Sequence, residues 1–350
     1  MLKITFPDGA QKEYKKGIKP IEIAQSISNS LAKKLLSVSF NKEQIESSTQ
    51  LHEDGVIEFH FWDDPKGKSA FWHSSAHLFA QVVKEIYPKS KLTIGPPIEN
   101  GFYYDLDLGD ETISENDFGK IEKRIIEEAR KDHEFLMRES TKDDALKFYK
   151  KNNNEYKIEL IENLVDEKIT FCDHSNFSDL CKGGHIPSTG LIKAVKLLNV
   201  AGAYWRGDEK NKQLTRIYGI SFPKQKLLSE YLQLVEEAKK RDHRVLGKKL
   251  KLFTFSKEVG LGLPLWLPKG ADLRKRLEDF LTKAQKIAGY EMVVSPHIGN
   301  KKLYETSGHF QKYGESSFMP IKTPNSDEEF LLKPMNCPHH CEIFKSEQWS

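Results

Sequence analysis

The chain has 350 residues, enough for two to three domains with cores of their own, and its 38% hydrophobic and 30% charged composition excludes a fibrous or disordered protein. A formal net charge of +3 does not announce nucleic-acid binding and leaves room for a local basic face. No apolar run approaches the roughly 18 residues of a membrane span, the N-terminus reads as a strand and not as a leader, and Cys172, Cys181, Cys337 and Cys341 form no paired framework, so the expectation is a cytoplasmic, membrane-free protein whose thiols are ligands or catalytic groups.

Residues 1–61 read as a small α+β unit. Leu2, Ile4 and Phe6 alternate with polar residues, Asp8-Gly9 supplies a hairpin turn, and a second strand runs through Tyr14. Pro20 opens a helix with Ile21, Ala24, Ile27 and Leu31 on one side, and short strands follow at 38–40 and 56–61. Hairpin, helix and further strands in that order suit a ubiquitin-like β-grasp, and nothing in it reads as catalytic. Trp62 to Lys68, with Pro65 and Gly67 among charged residues, reads as a polar linker at a domain boundary.

A mixed α/β domain follows to about residue 222. Trp72, Ala76, Phe79, Val83 and Ile86 fall at the steps of a helix face. The aromatic segment Gly101-Phe102-Tyr103-Tyr104-Asp105 reads as an antiparallel strand. Phe118, Ile121, Ile125 and Ala129 mark a second amphipathic helix, Tyr156-Lys157 opens a polar-flanked segment, and residues 202–207 form a strand and turn. A helix over 224–240 then leads to a third unit. That unit has a helix from about Ala271 to Ala288 capped by Gly289, a strand from Tyr290 to Ser295 stopped by Pro296, a strand at 328–333, and a helical pattern that continues through Trp349-Ser350.

Two short stretches carry the chemistry. His73 and His77 are one helical turn apart, on a face adjacent to the apolar stripe, and Cys181 and His185 repeat the spacing in a turn with Gly183 and Gly184, beside Asp179. Brought together, three imidazoles and a thiol could ligate zinc or could activate water as general acid and base. A metalloprotease is excluded, because Ser74 stands where the His-Glu-x-x-His motif needs its glutamate. Either pair alone is as readily a packing or surface feature; two pairs in one chain argue for a shared pocket.

Taken in order, these segments resemble the threonyl-tRNA synthetases, a family of class II aminoacyl-tRNA synthetases. The resemblance implies an α+β multidomain chain: a β-grasp TGS domain at 1–61, an α/β editing domain at 62–225, a linker helix at 226–241, and at 242–350 the start of a class II antiparallel-sheet catalytic domain. His73, His77, Cys181 and His185 are similar to the editing signature, with Asp179 and Lys157 beside it as further candidates. Lys157 would hold the terminal ribose or position water, and Asp179 would orient a histidine or bind the amino group of serine. The helix and strand ending at Pro296 resemble motif 1, through which the family forms homodimers. Met335 would wall the threonine site, and Cys337 in Met335-Asn336-Cys337-Pro338 would be one ligand of a catalytic Zn2+, one per subunit. His339 departs from the glycine common there. Motifs 2 and 3, the other zinc ligands and the anticodon-binding domain are expected beyond residue 350. ATP with Mg2+, L-threonine and tRNA(Thr) are the implied substrates.

The chemistry explains why such a family carries two sites. A site that engages the hydroxyl of threonine rejects valine by on the order of 10⁴ or more, because its polar groups would go unpaired. Serine lacks only a methyl, worth roughly 1–3 kcal/mol, and passes. A second site must then hydrolyse seryl-tRNA(Thr), and the expectation is that this chain edits but does not aminoacylate. The resemblance favours a metal-free editing pocket, although alanyl-tRNA synthetase editing domains bind zinc with the same residue pattern. Two rivals are a free-standing deacylase and a β-grasp adaptor fused to an RNA-binding module. Lys239, Lys240, Arg241, Arg244, Lys248 and Lys249 are the candidate RNA contacts, or simply a solvated face shared with Glu236 and Glu237.

Overall fold

The computed structural model describes residues 1–164, 168–322, 324 and 327–348. These divide into two compact units, Met1–Lys239 and Lys240–Ser350. No helix among the described residues is long and apolar enough to cross a membrane.

The first unit opens with a five-stranded sheet in the spatial order Gln11–Tyr14, Leu2–Thr5, Gly55–His60, Ser37–Phe40 and Glu43–Ile45. Leu2–Thr5 and Gly55–His60 run parallel, and the other neighbours are antiparallel. Leu2, Ile4, Ile23, Leu35, Val38 and Ile57 close its core. The first helix, Pro20–Ile27, buries Pro20, Ile23 and Ala24, while Ile27 is 47% exposed. The expected stripe breaks at Ile27, because the helix stops at Ser28, whose extended backbone and Oγ instead cap a separate turn, Asn29–Ala32; Ile21 and Leu31 still pack against the core.

The stretch expected to be a linker is the start of the longest helix, Pro65–Ile86. The Asp64 carboxylate accepts the Phe61 N–H at 2.7 Å, Pro65 occupies the first turn, and Gly67 lies so close to Phe61 that a Cβ there would sit 2.0 Å from its carbonyl oxygen. Trp62 packs edge-on against Phe71 and Trp72, with ring centroids 5.1 and 6.1 Å away. Pro and Gly here mark a helix entry against a packed wall, and the chain does not run free.

That helix is buried almost all round, from Ala70 to Val83, because it has partners on more than one side. One partner is the antiparallel sheet ordered Ala194–Tyr204, Gln213–Phe222, Gly101–Asp107, Lys91–Leu92. Another is the helix Phe118–Ala129, which turns Phe118, Ile121, Ile125 and Ala129 inward as its spacing predicts. A separate antiparallel sheet, Phe177–Leu180, Lys168–His174, Leu136–Thr141, has helices Lys142–Lys151 and Glu155–Glu162 beside it, so the segment expected at Tyr156-Lys157 is helical. The helix Gln225–Lys240 buries only Leu228.

In the second unit the helix Pro268–Ile287 ends at Gly289, whose φ of +86° gives the left-handed C-cap that its sequence called for. Phe253–Thr254 pairs with Leu265–Trp266, and a three-stranded antiparallel sheet runs Ile298–Asn300, Glu329–Leu332, Ile321–Lys322. The expected strand at Tyr290–Ser295 does not form. Its residues join no ladder among the described residues, and Val294 is 95% exposed. An apolar run becomes a strand only when another strand takes its hydrogen bonds. Cys337–Lys345 is helical and is capped at Ser346; Trp349 and Ser350, expected to continue a helix, lie outside the described residues.

Candidate active site

The two histidine-bearing pairs meet. His73 and His77 project from one face of Pro65–Ile86, with Nε2 atoms 3.2 Å apart. Cys181 leaves the end of Phe177–Leu180, and its Sγ lies 3.4 Å from His73 Nε2 and 3.3 Å from His185 Nε2. The side chains come together because the intervening turn is anchored to the helix. Ile186 N–H donates to Ser74 Oγ at 2.9 Å, and Ser74 Oγ donates to the Ala70 carbonyl. Ser74, which ruled out the protease motif, thus ties the second pair to the first. Gly183 and Gly184 take φ of +101° and +90°, values only glycine adopts readily, which turn the Gly183 N–H toward Cys181 Sγ and the Gly184 N–H toward Glu46.

His73, His77 and Cys181 line a cleft of about 770 Å³, together with Ile94 to Pro97, Tyr104, Lys157 and Asp179. Lys157, on Glu155–Glu162, places Nζ 2.7 Å from Asp179 Oδ1, and both side chains are buried. Asp179 also accepts the hydroxyls of Tyr104 and Tyr149, each at 3.0 Å. Its carboxylate is therefore committed to an ammonium and two phenols and orients none of the histidines, contrary to one role expected of it. Burial beside that carboxylate pushes both phenols well above their ordinary range.

The histidine that needs orienting is held from elsewhere. His185 Nδ1 lies 3.0 Å from Glu46 Oε1, and the same carboxylate accepts the Gly184 N–H at 2.7 Å. Glu46 follows the edge strand Glu43–Ile45 of the β-grasp sheet, a strand absent from the sequence reading, in a unit where nothing looked catalytic. No local signal singles out this glutamate, because its role arises only where the two folds touch.

Burial opposes a charge on His77, Cys181 and His185, and the outcome differs by neighbour. Burial alone would raise the Cys181 thiol, but His77 and hydrogen bonds from His185 and His73 outweigh it and bring it down to about 2, so the sulfur is a thiolate. Burial would lower His185, but hydrogen bonds to Cys172, Cys181 and Glu46 lift it well above its usual value. His77 is lowered, chiefly by burial, and stays neutral; its Nδ1 has no partner. The cluster thus favours negative charge on the Cys181 sulfur and positive charge on the His185 ring. His73, His77, Cys181 and His185 also offer four ligand atoms within 4.8 Å of one another, a set that zinc would accept.

The remaining candidates lie in the second unit or near its border. Met335 is 46% exposed, and Cys337 is exposed at the first turn of its helix. One thiolate does not make a zinc site, and among the described residues no other potential ligands gather round Cys337. His339 is buried against Tyr304, with ring centroids 6.0 Å apart. Of the basic residues, Lys239 pairs with Glu236 at 2.9 Å and Arg244 with Asp242 at 2.6 Å, so part of that charge is already neutralised.

Residues 2–60 match the TGS domain family, and residues 169–218 match the family described as threonyl and alanyl tRNA synthetase second additional domain. The chain is 63% identical over 350 residues to the threonine–tRNA ligase of Flavobacterium psychrophilum, covering 100% of this chain and 54% of that protein. With the Porphyromonas gingivalis threonine–tRNA ligase it is 57% identical over 346 residues, covering 99% of this chain and 53% of that protein. Among solved structures, the RNA binding domain of threonyl-tRNA synthetase from Cryptosporidium parvum Iowa II is 42% identical, covers 30% of this chain and 26% of that one, and gives a TM-score of 0.28. The chain spans about half the length of the curated relatives it matches. With a TGS domain, a threonyl and alanyl tRNA synthetase second additional domain and this identity along its whole length, the chain belongs to the threonyl-tRNA synthetase family and corresponds to the N-terminal portion of such an enzyme.

Proposed function

We propose that the whole protein attaches L-threonine to tRNA(Thr) using ATP with Mg2+, and that residues 62–225 hydrolyse seryl-tRNA(Thr) formed in error. The observation that carries the hydrolytic reading is the cluster of three imidazoles and a cysteine sulfur, of which His73, His77 and Cys181 line a cleft that also holds the Lys157–Asp179 pair.

In this reading a water molecule enters against His77, which burial keeps neutral and able to accept a proton. The water oxygen attacks the carbonyl carbon of the seryl ester as its proton moves to the imidazole. Negative charge develops on the carbonyl oxygen, and the buried Lys157 ammonium in the lining of the same cleft is available to offset it. The C–O bond to the ribose then breaks, and the ribose oxygen takes a proton from an imidazolium, leaving free serine and uncharged tRNA. Cys181 serves as the counter-charge that keeps His185 cationic; its sulfur already meets two imidazoles and an N–H, which argues against attack by sulfur. If zinc were held here instead, three of these four side chains would be its ligands and the open position would take a water made more acidic by the metal.

In the second unit, Cys337 supplies one ligand of the catalytic-domain zinc and Met335 a wall of the threonine site, with 242–350 forming the start of the class II domain. Dimerisation through the motif 1 region is supported by the exposure of Phe280, Leu281, Met292 and Val294. A free-standing deacylase has no use for this unit, yet the match to the ligases runs through it.

The direct test is release of serine from seryl-tRNA(Thr) by the 350-residue chain. His73→Ala with His77→Ala should slow it by about 10²–10⁴-fold, with threonine charging absent from both proteins. Undiminished hydrolysis in the double variant would sink the reading. One tightly held zinc per chain in residues 1–225 would replace the metal-free version with the metal-bound one.

A further inference from the structure

Glu46 is the only carboxylate shown hydrogen-bonded to an imidazole of the cluster among the described residues, and it comes from the β-grasp fold. Its side chain is 9% exposed. It accepts the Gly184 N–H at 2.7 Å, faces the His185 N–H at 3.3 Å, and lies 3.0 Å from His185 Nδ1. Its own backbone is fixed on both sides. It follows the edge strand Glu43–Ile45, its carbonyl accepts the Thr49 N–H, and the next carbonyl, of Ser47, accepts the Ile21 N–H at the first helix. On the other side of the contact, Gln44 Nε2 lies where a Cβ on Gly184 would come within 3.1 Å, so the two turns are in close contact.

A buried carboxylate facing imidazole Nδ1 has a specific chemical effect. It requires a proton on Nδ1, so Nε2 is turned toward Cys181 Sγ, 3.3 Å away. It also compensates the positive charge of His185, while the Cys181 thiolate balances the ring from its other nitrogen. Without Glu46 the ring is free to rotate, and the Gly183-Gly184 turn loses the acceptor for the Gly184 N–H.

We propose that Glu46 is a positioning residue of the hydrolytic site, through which the TGS domain fixes the orientation of the His185 ring. This makes the β-grasp fold part of the editing centre as well as a neighbour of it. The inference rests on the hydrolytic reading for its rate consequence, but the state of the His185 ring is measurable without any substrate.

The experiment uses the 350-residue chain, wild type and the variants Glu46→Ala and Glu46→Gln. Long-range ¹H–¹⁵N correlation of the histidine rings reads the His185 proton, and single-turnover hydrolysis of seryl-tRNA(Thr) reads the rate. In the wild type Nδ1 carries a proton. In E46A that assignment is lost, and kcat falls by about 10–100-fold with KM within about twofold. E46Q keeps an acceptor oxygen, restores the Nδ1 proton, and recovers most of the rate. The proposal is overturned by a wild-type His185 with bare Nδ1, which needs no variant to fold, or by a folded E46A with unchanged ring signals. Equal impairment of E46A and E46Q overturns it too, since that pattern is loss of packing or charge alone. Absence of hydrolysis in the wild type counts against the hydrolytic reading, and the ring signals then decide the Glu46 contact by themselves.

Discussion

Lys157 and Asp179 are each only 4% exposed, so neither can turn to water when its partner is removed. Asp179→Asn keeps an acceptor for Tyr104 and Tyr149 but strands a buried ammonium, and stability should fall by about 3–5 kcal/mol in urea unfolding. Adding Lys157→Met removes the stranded charge. The double variant is expected to regain about 2 kcal/mol over D179N while remaining unable to hydrolyse seryl-tRNA(Thr). Recovery of activity along with stability would show that the pair only packs the cleft wall. His174 makes a second case. Its ring lies between Phe135 and Phe177, both nitrogens lack partners, and burial lowers it from 6.5 to about 3. The unfolded chain therefore takes up a proton between those values and the native chain does not, so stability is complete above pH 6.5 and declines as the pH falls. The loss at pH 5 is about 2 kcal/mol, and His174→Phe should abolish it in urea titrations at pH 7.5 and pH 5. At this scale the four-residue spacing made His73, His77, Cys181 and His185 legible in the sequence. Glu46 and the tyrosines on Asp179 were not, since their partners are fixed by contacts between elements distant in the chain.

The helix Pro65–Ile86 shows how an element was read correctly in its middle and wrongly at its start. Its apolar positions repeat at helical steps, so its body was plain. Its first turn looked like a linker because Pro and Gly serve both to break chains and to begin helices against a wall. Gly67 decides between the two: a methyl there would meet the Phe61 carbonyl at 2.0 Å, and backbone cannot step aside as a flexible side chain can. Gly67→Ala should cost about 3 kcal/mol and slow hydrolysis by displacing the helix that carries His73 and His77, whereas a true linker would tolerate alanine. Thermal unfolding compares the two outcomes directly. Tyr290 to Ser295 erred in the opposite sense. Its composition suits a strand, but a strand is a property of two segments, and composition reports only one.

Across the whole chain, burial is distributed very unevenly. The first unit encloses a core running from Leu36 to Leu228 together with the β-grasp core, whereas in residues 240–350 only Gly247, Gly270, Tyr304, Leu331, Pro338 and His339 are buried among those described. Two of the six are glycines, which contribute no side chain to a core. Over the same stretch Leu261, Phe280, Ile287, Val294 and Met319 are exposed by 69% or more. Apolar burial is the dominant favourable term in folding, so a segment that leaves such side chains in water has little to set against its conformational entropy. The helix Pro268–Ile287 keeps internal backbone bonds and three i,i+4 ion pairs, each worth about 0.3–0.5 kcal/mol, which is far too little to hold a fold by itself. Native-state hydrogen exchange should therefore separate the two units. Amides of Phe71 to Val83 and of Ile217 to Phe222 are expected to exchange only through global unfolding, while those of 270–300 exchange at least about 10³-fold faster. If the second set were protected as well as the first, its exposed apolar side chains would have to be covered in solution. The oligomeric state of the chain, measured at the same concentration, would then identify a second copy as the cover.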